Sequence, residues 1–188
     1  MKRLGSIIGM ISLAVLLFAV PKVDAAESGT IDVTVTIQNI SVSIDPASYD
    51  FGAVALGSKS QSTTAITVTN DGNVNEDYSL NLTNPSPPSW TAMTTTGAPG
   101  AEKYTLEAAF DADGTIAWGN DQATPNDNHI LTTTITACTA SKYAGDQTGV
   151  NVPANGARTL YLRFWAPSST GIFTQQTIPV TVTAAKSP

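Results

Sequence analysis

The chain contains a single histidine, His129, and this is the residue to test first for acid–base or nucleophilic catalysis. A Ser-His-Asp mechanism needs a hydroxyl and a carboxylate on either side of an imidazole, and Asp127 is close in sequence. However, the sequence has no Gly-x-Ser-x-Gly motif, and His129 falls where a predicted loop enters a predicted strand. Pairing His129 with Cys138 meets the same objections. The sequence therefore predicts no catalytic residues and no enzyme.

The stretch from residue 111 to residue 128 is rich in oxygen ligands. Ca²⁺ accepts carboxylate and amide oxygens in a flexible geometry, so Asp111, Asp113 and Asp121 could bind it together. The stretch is not an EF-hand, because no acidic residue falls at the position of the bidentate ligand. Calcium is therefore one hypothesis, and the alternative is that Asp, Asn and Gly simply form turns here. No other cofactor is expected.

Aromatic residues in two long predicted loops raise the question of carbohydrate binding. Trp118 lies in the loop 111–128 and Tyr143 in the loop 139–156, and loops of this length are often functional. Exposed rings can stack on sugar faces, whereas buried rings belong to a core or a subunit interface. We expect these two rings to be exposed. A carbohydrate- or calcium-dependent binding module is thus the alternative function.

Cys138 is the only cysteine, so it cannot form a disulfide within the chain. It is either a small buried hydrophobic residue or an intermolecular link. If the strand that begins near His129 runs that far, Cys138 shares the parity of its threonines and points away from the core. We favour an unpaired structural thiol over an intermolecular disulfide.

Alternating apolar and polar residues, separated by Gly, Pro, Asn and Asp, predict about eight β-strands and no helix. The alternating runs are 31–44, 61–70, 76–83, 90–93, 103–110, 129–136, 157–165 and 173–184. Close turn spacing, without helices to cover a parallel sheet, indicates an antiparallel sandwich or barrel. Asp71 and Gly72 suit the positive φ angles of a type I′ hairpin turn.

The first run, 31–44, changes phase halfway along. Its apolar residues are odd-numbered up to Ile37 and even-numbered from Ile40. Because a one-residue slip turns every later side chain to the other face, we expect a β-bulge at residues 38–39 or a transfer of the strand between sheets. This run and Thr177–Thr183 are the predicted edge strands, since neither contains the Lys or Arg that usually block edge pairing.

Residues 1–25 have the layout of a secretory signal peptide. Two basic residues precede an uncharged apolar run from Leu4 to Val20, and small residues follow at a predicted cleavage site after Ala25. The run is short for a transmembrane helix, which needs about 20 apolar residues. Residues 26–188 are thus predicted to form one exported domain, periplasmic or extracellular, with no membrane insertion after cleavage.

The chain is acidic, with a formal net charge of −6. Residues 1–25 carry a net charge of +2, so their removal leaves −8. Nucleic acids and anionic membranes are bound by patches of Lys and Arg. Neither is therefore an expected partner.

The segment 45–82 carries a set of residues with a familiar spacing: Pro46, Phe51-Gly52, Val54, Leu56-Gly57, Val68, Asn70 and Gly72. It resembles immunoglobulin-like domains of the ASPM/SPD-2/Hydin type, which recur in bacterial surface proteins. The resemblance implies that the Phe-Gly and Val-x-Asn-x-Gly features serve packing and turns. It also implies an immunoglobulin-like β-sandwich used for adhesion, scaffolding or display, and no enzyme.

These inferences together predict a non-enzymatic, exported structural or interaction domain of the cell envelope. Its expected partners are other envelope or surface proteins. Self-association would run through the edge strands, by the main-chain pairing of β-augmentation.

Overall fold

The computed structural model describes residues 29–118 and 128–188. The predicted signal peptide, residues 1–25, lies outside the described residues, and so do Asp121 and Asp127. The chain divides into a unit that ends at Thr36 and a second unit, Ile37–Pro188. Within the described ranges, no helix is long and apolar enough to cross a membrane.

The strands found in the described residues all belong to the second unit. They are β1 (Val42–Asp45), β2 (Lys59–Gln61), β3 (Ile66–Asn70), β4 (Glu76–Leu82), β5 (Thr91–Ala92), β6 (Lys103–Phe110), β7 (Thr136–Ala137), β8 (Ala157–Trp165) and β9 (Val180–Lys186). One sheet has the order β1-β3-β8-β6-β5, with β2 also paired to β8, and the other has the order β7-β4-β9. Pairing is antiparallel except between β5 and β6. The predicted all-β class is confirmed for this part of the chain.

Both sheets contribute to one large apolar core. Val68 and Phe164 come from the first sheet, and Tyr78, Leu80 and Leu82 come from the second. The three residues of β4 are buried at alternate positions, as the period of two predicts. The core therefore has a facing layer from each sheet.

The first sheet is also covered on its other face. Ala109 and Tyr161 pack there with Trp118, which belongs to the segment that follows β6. Gly114 of that segment lies against the Tyr161 ring, and an added Cβ would be 2.9 Å from it. This second cluster explains why β6 is buried from Tyr104 to Phe110 without alternation.

The connection between β3 and β4 crosses from one sheet to the other, so the predicted hairpin at Asp71-Gly72 is wrong. The buried side chain of Asn70 organises the crossing. Its Oδ1 accepts a hydrogen bond from Gly72 N, and its Nδ2 donates to the carbonyls of Val74 and Val152. Neither Asp71 nor Gly72 has the positive φ that a type I′ turn needs, and the sheet to which the next strand belongs was not visible in the sequence.

The first predicted strand begins only at Val42. Residues 29–41 form no strand, and the bulge predicted at residues 38–39 is absent. Val42 and Ile44 pack against the core, so the even-numbered apolar residues of the predicted run are those that β1 turns inward. β1 does lie at the edge of its sheet, as predicted.

Residues 37–41 are held by hydrogen bonds to the β3–β4 connection instead of by a sheet. The Ile37 carbonyl accepts from Asn73 Nδ2 at 2.8 Å, and the Asn39 carbonyl accepts from Asn73 N at 3.1 Å. The backbone N–H of Ser41 donates to Oε1 of the buried Glu76 at 2.8 Å. The phase change, between Ile37 and Ile40, therefore falls within this anchored stretch.

Replacing Gly72 by alanine should destabilise the fold. A Cβ at Gly72 would lie 2.6 Å from Glu76 Oε1 and closer still to the Asn39 carbonyl, so the anchor would have to shift. We expect a loss of about 1–3 kcal/mol in the free energy of unfolding, measured by urea denaturation. Gly100→Ala is the control, because nothing lies within 4 Å of a Cβ there. Equal stability of both variants would contradict this account of the crossing.

Candidate functional site

The two aromatic residues proposed to bind carbohydrate are buried, contrary to the expected exposure. Trp118 is 5% exposed, and its Nε1 donates to Gln61 Oε1 at 2.8 Å. The ring of Tyr143 is fully buried, with its hydroxyl donating to the Ile130 carbonyl. Neither ring offers a face on which a sugar could stack. The alternation that predicted the strands gave no indication that Trp118 packs against the first sheet or that Tyr143 packs in the main core.

A buried ion pair explains the position of Trp118. Glu107 and Arg163 lie directly opposite each other on β6 and β8, with Arg163 Nε 2.6 Å from Glu107 Oε2. The guanidinium lies over the Trp118 ring, 4.9 Å from its centroid, a favourable cation–π geometry. Sequence reasoning missed this pair, and its signal was a single charged residue within the buried part of each strand, Glu107 in β6 and Arg163 in β8.

The histidine is also part of this packed layer. His129 is 6% exposed, its ring meets the Trp118 ring edge-on at 5.5 Å, and its Nε2 lies 3.0 Å from the Ala144 carbonyl. An imidazole whose nitrogen bonds a main-chain carbonyl is oriented by the fold. These contacts assign His129 a packing role.

The proposed calcium ligands in the described residues form turns. Asp111 Oδ1 accepts from the backbone N–H of Asp113 and of Gly114, and Oδ2 accepts from Asp146 N. Asp113 Oδ1 accepts from Thr115 N at 2.8 Å, and this hydrogen bond lowers the pKa of the Asp113 carboxyl. Asp121 lies outside the described residues. Across residues 29–118 and 128–188, no three His, Cys, Asp or Glu side chains are grouped as a metal site would require.

Cys138 is a buried, free thiol in the main core. The predicted strand 129–136 is mostly absent, because only Thr136–Ala137 pairs with β4 as β7. The parity that pointed Cys138 outward is therefore wrong, and Ile135, expected inside, is 61% exposed. Burial raises the pKa of the Cys138 thiol to about 12. These surroundings suit an unpaired structural thiol better than an intermolecular link.

The residues up to and including Ile37, where the anchored stretch begins, form an exposed apolar stripe. Every residue from 29 to 40 is exposed, and four of them are large aliphatic residues at alternate positions. Their exposed fractions are 86% for Ile31, 80% for Val33 and Val35, and 81% for Ile37. We call residues 31–37 the apolar segment. Its alternation is that of a β-strand, yet its side chains lie in water.

A groove in the second unit is lined mainly by apolar residues, as the apolar segment is composed mainly of them. Its volume is about 1160 Å³, and it is lined by inner-face residues of the first sheet, by residues 46–54 and 172–179, and by β9. Its aromatic lining includes Phe164, whose ring lies 5.8 Å from that of Phe51 and 6.0 Å from that of Trp90. Leu56 and Phe173 also line it and are 52% and 85% exposed.

One wall of this groove is an edge strand. β9 is the last strand of the order β7-β4-β9, and Val180 and Val182 line the groove. The prediction of an edge in Thr177–Thr183 is thus confirmed from Val180 onward. Its residues from Val180 to Ala185 include no Lys or Arg. Lys186 alone places a charge on the end of this edge.

No protein-family model matches the chain, and no curated protein matches it significantly. The candidate site therefore depends on the geometry of the described residues. Two separate exposed apolar surfaces, the apolar segment and the groove of the second unit, are the candidate functional surfaces.

The Cys138 thiol should be unreactive in the folded protein. A thiol with a pKa of about 12 has almost no thiolate at pH 8, and its 5% exposure also restricts access. We expect maleimide labelling to be at least about 100-fold slower in buffer than in urea. Ser141→Cys, at an exposed position, is the rapidly labelled reference. Rapid labelling of Cys138 in buffer, or a dimer that reductant dissociates, would refute the structural role.

Removing one charge of the buried ion pair should lower the stability of the fold more than removing both charges. Arg163→Met leaves Glu107 buried without its cation, and we expect a loss of about 3–5 kcal/mol in urea denaturation. The double variant Glu107→Leu/Arg163→Met removes both charges and should regain most of that loss. If Arg163→Met had the same urea midpoint as the native protein, the ion pair would not be desolvated in the folded state.

Proposed function

We propose that this protein is a non-enzymatic, exported structural or interaction domain of the cell envelope that self-associates through extended edges. The domain would be an immunoglobulin-like β-sandwich, released after cleavage of residues 1–25. The observation that carries the proposal is the apolar segment, with four aliphatic side chains at least 80% exposed. Export is supported by the sequence pattern of the first residues alone.

Exposure of such a stripe is costly for a chain that acts alone. Burying a Val or Ile side chain stabilises a protein by about 1.5–3 kcal/mol, so four exposed side chains represent a substantial driving force for association. Contiguous apolar surface of this kind marks interaction sites in soluble proteins. The strand-like alternation of the segment favours a partner that presents a sheet edge.

The alternative of a sugar- or calcium-binding module has weaker support. Its two aromatic residues are buried, and both oxygens of Asp111 are occupied by backbone N–H groups. Envelope partners other than a second copy remain compatible with the proposal, since a β-edge can pair with any extended chain.

Charges on the apolar face of the segment should prevent association. We expect light scattering after gel filtration to show a concentration-dependent oligomer for residues 26–188, and a monomer for Val33→Asp/Val35→Asp. Two carboxylates on the face to be buried would have to be desolvated without partners. The matched control is Thr34→Asp/Thr36→Asp, which adds the same charge to the same segment on its other face.

Reductant should leave the oligomer unchanged, because Cys138 is buried. A native chain that stays monomeric at every concentration would contradict the proposal. So would equal effects of the two charged variants, since they would indicate general charge repulsion.

A further inference from the structure

We infer that the apolar groove is the acceptor for the apolar segment, residues 31–37, of a second copy of this chain. This inference rests on the self-association proposed above and identifies the surface that the segment occupies. The chain then carries both halves of its own interface, a donor segment and an acceptor groove.

The groove fits an extended aliphatic chain better than a small polar ligand. Its volume of about 1160 Å³ exceeds the usual range for small-molecule pockets. Asp50 is the only charged side chain among the described residues that line it. The apolar segment likewise carries a single charge, at Asp32. Neither partner would have to desolvate a lysine or arginine on docking.

Main-chain pairing would provide the second part of the recognition. β9 forms one wall of the groove and lies at the end of its sheet. A strand added beside β9 would extend the order β7-β4-β9 by one, as in donor-strand complementation. Side chains at alternate positions of that strand would enter the groove, and the threonines between them would remain outside. The segment has this alternation from Ile31 to Ile37.

Two apolar residues at the rim of the groove are exposed among the described residues. Phe173 is 85% exposed and Leu56 is 52% exposed, although both line the groove. An inserted segment would cover these side chains together with its own. A single contact would therefore bury both of these exposed apolar surfaces, the apolar segment and the rim of the groove.

A second copy is a better donor than the chain's own segment. Hydrogen bonds from Asn73 fix Ile37 and Asn39 at the β3–β4 connection. From there β1 leads directly to Pro46, which lines the groove. The sequence from Val33 to Gln38 contains no Gly, Pro, Asn or Asp, so it favours an extended segment over one that turns sharply. An extended segment is available to a second copy.

Photocrosslinking of the full exported chain tests this assignment. Unlabelled chain carrying p-benzoylphenylalanine in place of Val35 is mixed with native ¹⁵N-labelled chain, irradiated and mapped by mass spectrometry. We expect crosslinks from position 35 to residues 46–56 or 172–182 of the ¹⁵N chain. The same photoreactive residue at Thr34 is the matched control and should give few crosslinks to the groove, because its side chain lies on the opposite face.

Two outcomes would overturn the inference. Crosslinks within the unlabelled chain would show that each segment occupies its own groove. Crosslinks to other surfaces, or none in a sample that is oligomeric, would show that the groove is not the acceptor. In both cases an oligomer by light scattering would leave the self-association proposal standing, whereas a monomeric native chain would remove both.

Substitutions at the groove rim give an independent measurement. Leu56→Asn/Phe173→Ser should raise the dissociation constant at least tenfold, without changing the urea midpoint, because both side chains are exposed. Ile135→Ser is the control, since Ile135 is an exposed aliphatic residue that does not line the groove. A rim variant that associates as tightly as the Ile135 variant would contradict the acceptor role.

Discussion

The hydrogen-bonded crossing between β3 and β4 determines how the rest of the structure is arranged. Asn70 and Glu76, both fully buried, bond main-chain groups there, including Ser41 N just before β1. Buried polar groups of this kind are costly unless each is hydrogen-bonded, so the crossing tolerates few alternative chain paths. It fixes where β1 begins. The apolar segment, residues 31–37, forms no strand.

Described residues of both long loops are packed into the fold: Trp118 covers the outer face of the first sheet, and Tyr143 lies in the main core. The ion pair between Glu107 and Arg163 needs cover from water, and Trp118 and Tyr161 provide part of it. A loop that is held by this packing has its aromatic faces turned inward. Loop length alone therefore gave a misleading indication of a binding site.

The sequence predicts strand positions well and strand partners poorly. The runs that became β4, β6 and β8 were recognisable from the alternation of apolar residues in the sequence, and their bounds are close to those observed. The prediction of a hairpin at Gly72 failed because β4 joins the other sheet, and the prediction of an outward Cys138 failed because the strand from which its parity was counted is mostly absent. The break after Ile37 was visible as a change of phase. Its cause, a stretch anchored by side chains distant in sequence, was not.

Solubility and association depend on different forces in this molecule. The predicted exported chain has a net charge of −8, and like charges repel over a Debye length of about 8–10 Å at physiological salt. The apolar segment, in contrast, acts only on contact, and Asp32 is its one charge. Copies would thus be kept apart at a distance but be held firmly once a segment reached a groove. Because salt screens only the long-range repulsion, the docked contact itself depends on apolar burial and main-chain pairing.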